Sequence, residues 1–131
     1  MGKIVIDSNV LVGFIRAEDS LHKKAVELIK KIKKENEIWV LNLVIQETAT
    51  VLSMRDGMKS SGIFCDNYRD LVDQEIFLDK DLEDRSWNIF RKQEKKGTSF
   101  IDCANLALLE KYKLNGIASF DEFYSKSIRV M

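Results

Sequence analysis

The chain has 131 residues, 45% hydrophobic and 32% charged, a balance that supports one compact core without disulfides and excludes a disordered chain. Twenty-one Lys and Arg offset twenty-one Asp and Glu, so no net charge announces a polyanion-binding protein and any such role must rest on how the charges are distributed. No apolar run reaches the length of a membrane span, and Lys3 leads straight into a strand, so a soluble, cytoplasmic protein without a leader peptide is expected.

Ile4, Val5 and Ile6 form a β-branched run too short for a helix, and it stops at Asp7. That pattern predicts a buried strand ending at an acid, with Ser8 as cap of a helix over 9–15. A strand followed by Asp-Ser is also an ordinary helix start. In an open parallel sheet, however, ligands bind outside the carboxyl ends of the strands, where Asp7 would stand. Glu18-Asp19-Ser20 breaks the chain before a second helix, in which Leu21, Ala25, Leu28, Ile29 and Ile32 recur at helical spacing and the lysines form a solvated face. His22, the only histidine, cannot supply a His-rich metal site and reads as structural or solvent-facing. Cys65 and Cys103 lack Cys-x-x-Cys spacing and read as small packing residues in a reducing compartment.

A second strand is expected over 37–41, followed by a helix capped by Asn42 and running from Leu43 to about Met54. Projected at about 100° per residue, Glu47 falls within the apolar arc of that helix, between Leu43 on one side and Val44 and Val51 on the other. It is either a carboxylate turned toward a site or one at the rim of the arc reaching solvent or a lysine. Gly57 and Ser60-Ser61-Gly62 predict a loop. A fourth helix over about 63–72 and a third strand over 75–78 follow, with Asp79 and Asp81 as caps of a fifth helix that Lys95-Lys96-Gly97 closes.

Ser99 and Asp102 have the spacing of a capping box. The helix they open is apolar nearly all round, from Phe100 to Leu109, so it should be buried, and Asp102 at its N-terminal end would need cations near it. Asn115-Gly116 turns the chain into a fourth strand over 117–120, and Asp121 repeats the opening arrangement of a strand running into an acid. Ile128-Arg129-Val130 can add an edge strand. Strands alternate with helices throughout, which makes the expected class α/β, one domain with a mostly parallel sheet covered on both faces.

Asp7, Asp121 and, less directly, Glu47 and Asp102 thus lie beyond strand ends or in early helical turns, places that converge on one edge of a doubly wound sheet. Four carboxylates brought together repel one another unless they share a cation, and all-oxygen ligation selects Mg²⁺ or Mn²⁺ over zinc. Such a cluster suits phosphoryl chemistry.

The order Asp7 with Asn9 two residues on, Glu47 within a helix, Ser99-Phe100-Ile101-Asp102 and Ser119-Phe120-Asp121 resembles the PIN-domain pattern, as in VapC-type toxins of toxin–antitoxin pairs. The resemblance spans essentially the whole chain. It implies a Rossmann-like three-layer sandwich and a Mg²⁺- or Mn²⁺-dependent endoribonuclease, with Asp7, Glu47, Asp102 and Asp121 as the catalytic and metal-binding acids. Asn9, Ser99 and Ser119 match supporting polar positions. It further implies an RNA substrate, homodimers and inhibition by a small antitoxin. Two other readings share parts of the pattern. One is a PIN-like RNA- or protein-binding module without catalysis. The other is a haloacid-dehalogenase-like phosphatase, which would need an Asp where Asn9 stands.

Overall fold

In a computed structural model that describes residues 2–131, the strand β1 (Gly2–Ile6) is the centre of a five-stranded sheet. Ile4, Val5 and Ile6 are buried in succession. Because neighbouring side chains on a strand point to opposite faces, that continuous burial requires cover on both sides of the sheet. The other strands are β2 (Asn36–Leu41), β3 (Gln74–Ile76), β4 (Gly116–Ala118) and β5 (Arg129–Val130), arranged β3-β2-β1-β4-β5 with every neighbouring pair parallel.

Six helices of the described residues flank the sheet: α1 (Ser8–Ile15), α2 (His22–Glu35), α3 (Asn42–Asp56), α4 (Met58–Asn67), α5 (Lys80–Arg91) and α6 (Phe100–Lys111). α1 packs on α2 and α3, α3 on α4, and α5 on α6. Arg16 forks onto Asp56 at 2.8 and 3.2 Å, clamping the end of α1 to the end of α3. The expected α/β class with a central parallel sheet is therefore the observed one, and the sheet is wholly parallel. No helix of the described residues is long and apolar enough to cross a membrane.

The chain steps outward from β1 to β2 and β3 on one side, then crosses to β4 and β5 on the other. The crevice of such a sheet opens where the order reverses, between β1 and β4. Their register pairs Ile6 with Ala118, and the Asp7 N–H donates to the Ala118 carbonyl at 3.0 Å. The next residues out of the sheet, Asp7 and Ser119, therefore emerge side by side. Gly116 permits this packing, since a Cβ there would stand 2.8 Å from the Ile128 carbonyl oxygen of the segment leading into β5.

Several local expectations are corrected. Ser8 lies inside α1, and the cap is Asp7, whose carboxylate accepts from the Ser8 N–H at 2.8 Å. Asn42 likewise lies within α3, and its carbonyl oxygen accepts from the Leu78 N–H at 2.9 Å, tying down the segment after β3. The expected loop over 55–62 shrinks to Gly57, at φ 94°, a backbone conformation that favours glycine, with Arg55 and Asp56 still in α3. Ser60, Ser61 and Gly62 continue as α4, where the Ser61 hydroxyl donates to the Ala49 carbonyl at 2.7 Å and stitches α4 to α3. α4 ends at Asn67 rather than near Val72, and a 3-10 turn follows over Tyr68–Asp70.

Asp79 alone caps α5, accepting from the Leu82 N–H at 2.9 Å, while Asp81 pairs with Lys111 at 3.0 Å. α5 stops at Arg91, so Gly97, at φ 85°, turns a connecting loop rather than closing the helix. Cys103 is a buried packing residue as expected, but Cys65 is exposed. His22 is structural, with Nδ1 2.8 Å from the Gly13 carbonyl oxygen.

Candidate active site

A cavity of about 420 Å³ opens at the β1/β4 edge, and Asp7, Glu47, Asp102 and Asp121 all line it, together with Ser8, Asn9 and Ser99. Each acid arrives by a different route. Asp7 follows β1 directly and is 3% exposed. Glu47, half-buried on α3, is held by the Ser8 hydroxyl, which donates to Oε1. Ser8 is thus freed from capping to orient a carboxylate from another element. Asp102 sits in the first turn of α6, whose N-cap is Ser99, accepting from the Ile101 N–H at 3.1 Å. No capping-box bond from Asp102 back to Ser99 forms among the described residues; its carboxylate instead accepts from the Tyr124 hydroxyl at 3.0 Å. Asp121 follows β4, and its carboxylate accepts from the Phe123 N–H at 2.9 Å.

Ser119 and Asn9 lock the two strand ends together. The Ser119 hydroxyl donates to Asp7 Oδ2 at 2.7 Å while accepting from the Asp121 N–H at 3.0 Å and from Asn9 Nδ2 at 3.1 Å. Its one hydrogen and both lone pairs are thereby used. The Asn9 carbonyl oxygen accepts from the Phe120 N–H at 3.1 Å. Beneath Asp7, Asn105 Nδ2 donates to Asp7 Oδ1 at 3.4 Å and to the Tyr124 hydroxyl at 3.2 Å.

The electrostatics are those of acids gathered without a partner. Burial pushes the Asp7 carboxyl from its ordinary 3.8 up to about 6, against the lowering pull of its bonds from Ser119 and Ser8 and with the added repulsion of Asp102 and Glu47. Asp102 is raised as well, chiefly by burial, with Asp121 and Glu47 contributing and the Tyr124 bond opposing. Burial, with the charges of Asp7 and Asp102, holds the Tyr124 hydroxyl above its ordinary range, so at neutral pH it is a donor. Among the described residues none of the four acids is ion-paired to Lys, Arg or His. Arg55 lines the cavity, but its guanidinium stands 3.6 Å from Asp19, a fifth carboxylate on the wall that Arg16 also approaches.

An all-oxygen, anionic donor set whose four acids have no basic side chain paired to them among the described residues fits a hard divalent cation and does not fit zinc. As the side chains are placed, no three His, Cys, Asp or Glu among the described residues stand as a ready ligand group, each carboxylate being turned to its own hydroxyl or N–H donor. Ligation would have to compete with those bonds.

Four residues of this neighbourhood are not among the site residues expected from the sequence: Asn105, Tyr124, Asp19 and Arg55. The one signal for Asn105 is an amide in a helix otherwise apolar on its buried side, three residues after Asp102 and so on the same face. Asp19, Arg55 and Tyr124 carry no comparable mark, because only the folded chain brings them to the cavity.

A family model described as PIN domain matches residues 4–126. The chain is similar in structure to Mycobacterium tuberculosis VapC20, described as a Sarcin-Ricin loop cleaving toxin, with 23% identity, 90% of this chain and 89% of that chain covered, and a TM-score of 0.80. It is also similar to a chain of VapBC2 from Rickettsia felis, bound to a DNA fragment from their promoter, at 14% identity, 91% and 87% coverage and a TM-score of 0.67. No curated protein matches the sequence at a significant level.

Proposed function

The chain belongs to the PIN-domain family, and on that premise we propose that it is a Mg²⁺- or Mn²⁺-dependent endoribonuclease, the toxin component of a type II toxin–antitoxin pair, acting as a single cytoplasmic domain. The observation that carries this reading is the set of four carboxylates, far apart in sequence, which line one cavity with no cationic side chain among the described residues paired to any of them. Like charges concentrated in that way are costly unless a cation is their function.

Asp7, Glu47, Asp102 and Asp121 would hold the ion. When bound, it supplies a water acidified for in-line attack on phosphorus and charge neutralisation at the leaving oxygen. The chain's own residues set the stage for this. Ser119 and Asn9 hold Asp7 in register with β4, Ser8 turns Glu47 into the cavity, and Ser99 fixes the start of the helix that carries Asp102. The raised Asp7 must give up its proton to ligate, so ion binding weakens below about pH 6. A recess of about 90 Å³ lined by Lys95, Lys96 and Thr98 shares Asp102 and Asp121 with the main cavity. Cations therefore flank the acids where neighbouring phosphates of a polyanion would lie.

RNA as the substrate rests on the resemblance and on the described activity of the toxin from Mycobacterium tuberculosis. An antitoxin partner is proposed from the VapBC2 neighbour. An apolar groove of about 370 Å³ between α1 and α4, lined by Leu11, Phe14, Ile15, Ile63, Phe64 and Leu71, offers such a protein a seat away from the acids. The chain is proposed to be a homodimer, which light scattering after size exclusion reads directly.

The catalytic proposal is tested by RNA cleavage with Mn²⁺, with EDTA, and with Asp7→Asn. Cleavage should require the ion and vanish in the variant. Metal-independent cleavage, or full activity of Asp7→Asn, would defeat it.

A further inference from the structure

Resting on the metal-nuclease reading above, we propose that Asn105 and Tyr124 are positioning residues, a buried relay that ties Asp7 to Asp102 and sets the two carboxylates for a shared divalent ion. Asn105 is fully buried and Tyr124 is 1% exposed. The Asn105 amide has two hydrogens, and both are aimed at this pair: one at Asp7 Oδ1, 3.4 Å away, the other at the Tyr124 oxygen, 3.2 Å away. The Tyr124 hydroxyl has one hydrogen, and it goes to Asp102 Oδ1 at 3.0 Å. The result is a chain of three hydrogen bonds that diverges from Asn105 on α6, one arm reaching Asp7 at the end of β1 and the other passing through Tyr124, after β4, to Asp102, below the floor of the acidic cavity.

A purely structural account of Asn105 meets a difficulty. Its side-chain carbonyl oxygen is buried and has no hydrogen-bond partner among the described residues. An unmade bond of that kind costs stability, and an apolar residue of similar volume would avoid it in a helix whose other buried residues are apolar or small. What the amide does provide is contact with both sides of the relay. Tyr124 makes the same point from the other end. Its ring is enclosed among apolar neighbours, and the hydroxyl adds what a phenylalanine lacks, the bond to Asp102 and an acceptor for Asn105. Partners that orient ligating groups characteristically change ion affinity and rate by about 10- to 100-fold.

The test uses Tyr124→Phe, which removes one oxygen and keeps the ring, and Asn105→Leu, which replaces the amide with an apolar group of similar size. Mn²⁺ affinity is measured without RNA, by electron paramagnetic resonance of the free ion. Each variant should bind Mn²⁺ at least about 10-fold more weakly than the unaltered chain. With RNA, kcat should fall while KM for the RNA stays constant. In EDTA the melting temperature of Asn105→Leu should hold or rise. Unaltered Mn²⁺ affinity in Tyr124→Phe overturns the relay even if Asn105→Leu fails to fold. An affinity loss that merely tracks a lower metal-free melting temperature overturns it too. If the unaltered chain binds no Mn²⁺, the nuclease reading itself falls and the relay with it. Normal binding by the unaltered chain and by both variants removes only the relay.

Discussion

Asp7 makes the metal-free protein a pH-sensitive fold, and the sign follows from the direction of its shift. An acid raised from 3.8 to about 6 in the folded state keeps its proton there after the unfolded chain has lost it. Below 3.8 both states are protonated and the group contributes nothing. Between 3.8 and 6 the folded state binds more protons, so stability falls as pH rises, and above about 6 the loss is complete. At about 1.4 kcal/mol per pH unit the full loss is about 3 kcal/mol, a large share of the roughly 5–15 kcal/mol that holds a domain together. Asp7→Asn removes the titration. Its amide cannot accept from every donor that now serves the carboxylate, so about 1 kcal/mol is returned, leaving a net gain near 2 kcal/mol at pH 7.5. The assay is urea unfolding in EDTA at pH 4 to 8 for both proteins. With a slope of about 1–3 kcal/mol per molar urea, the midpoint of the unaltered chain should fall by about 1–3 M over that range relative to Asp7→Asn. A difference between the two proteins that does not change with pH, or one that grows in the opposite direction, would refute the reasoning.

Asp102→Asn should abolish RNA cleavage yet leave the metal-free melting temperature unchanged or higher, because a source of repulsion is removed; a loss above about 1 kcal/mol would restore the capping-box account. Ser8→Ala should lower cleavage about 10-fold by releasing Glu47 and cost about 1 kcal/mol in chemical denaturation, whereas equal activity would mean that Glu47 needs no such restraint. Gly116→Ala places a methyl 2.8 Å from a backbone oxygen, so thermal melts should report a loss of about 1–3 kcal/mol. Mn²⁺ in excess should raise the melting temperature of the unaltered chain and leave that of Asp7→Asn where it was in EDTA.

The sheet and the acids were legible because they depend on short-range patterns. Three β-branched residues before Asp7, an apolar run before Asp121 and the alternation of strands with helices are visible along the chain, and a parallel sheet then brings those strand ends to one edge. Glu47 was half legible: the helical wheel put it at the apolar arc, but only the fold supplied Ser8 as its partner. The errors cluster at helix boundaries, where Ser, Asn, Asp and Gly have several uses. Ser8 and Asn42 bond to distant groups instead of capping, and Ser60-Ser61-Gly62 is helical because Ser61 has a carbonyl on α3 to bond. Asn105 and Tyr124 act across long separations, and no local periodicity carries that information.

Placing β4 between β1 and β5 also sets when the acidic hollow comes into being during folding. Asp7 and Ser119, joined by a hydrogen bond, stand 112 positions apart in the sequence. Pairings this remote in the chain form late, after their loop-closure entropy is met. Until β4 docks, β1 is paired only with β2 and open on its other flank, and Asp7 lacks the strand end that brings Ser119 and Asp121 beside it, so closing the sheet and completing the set of acids are one event.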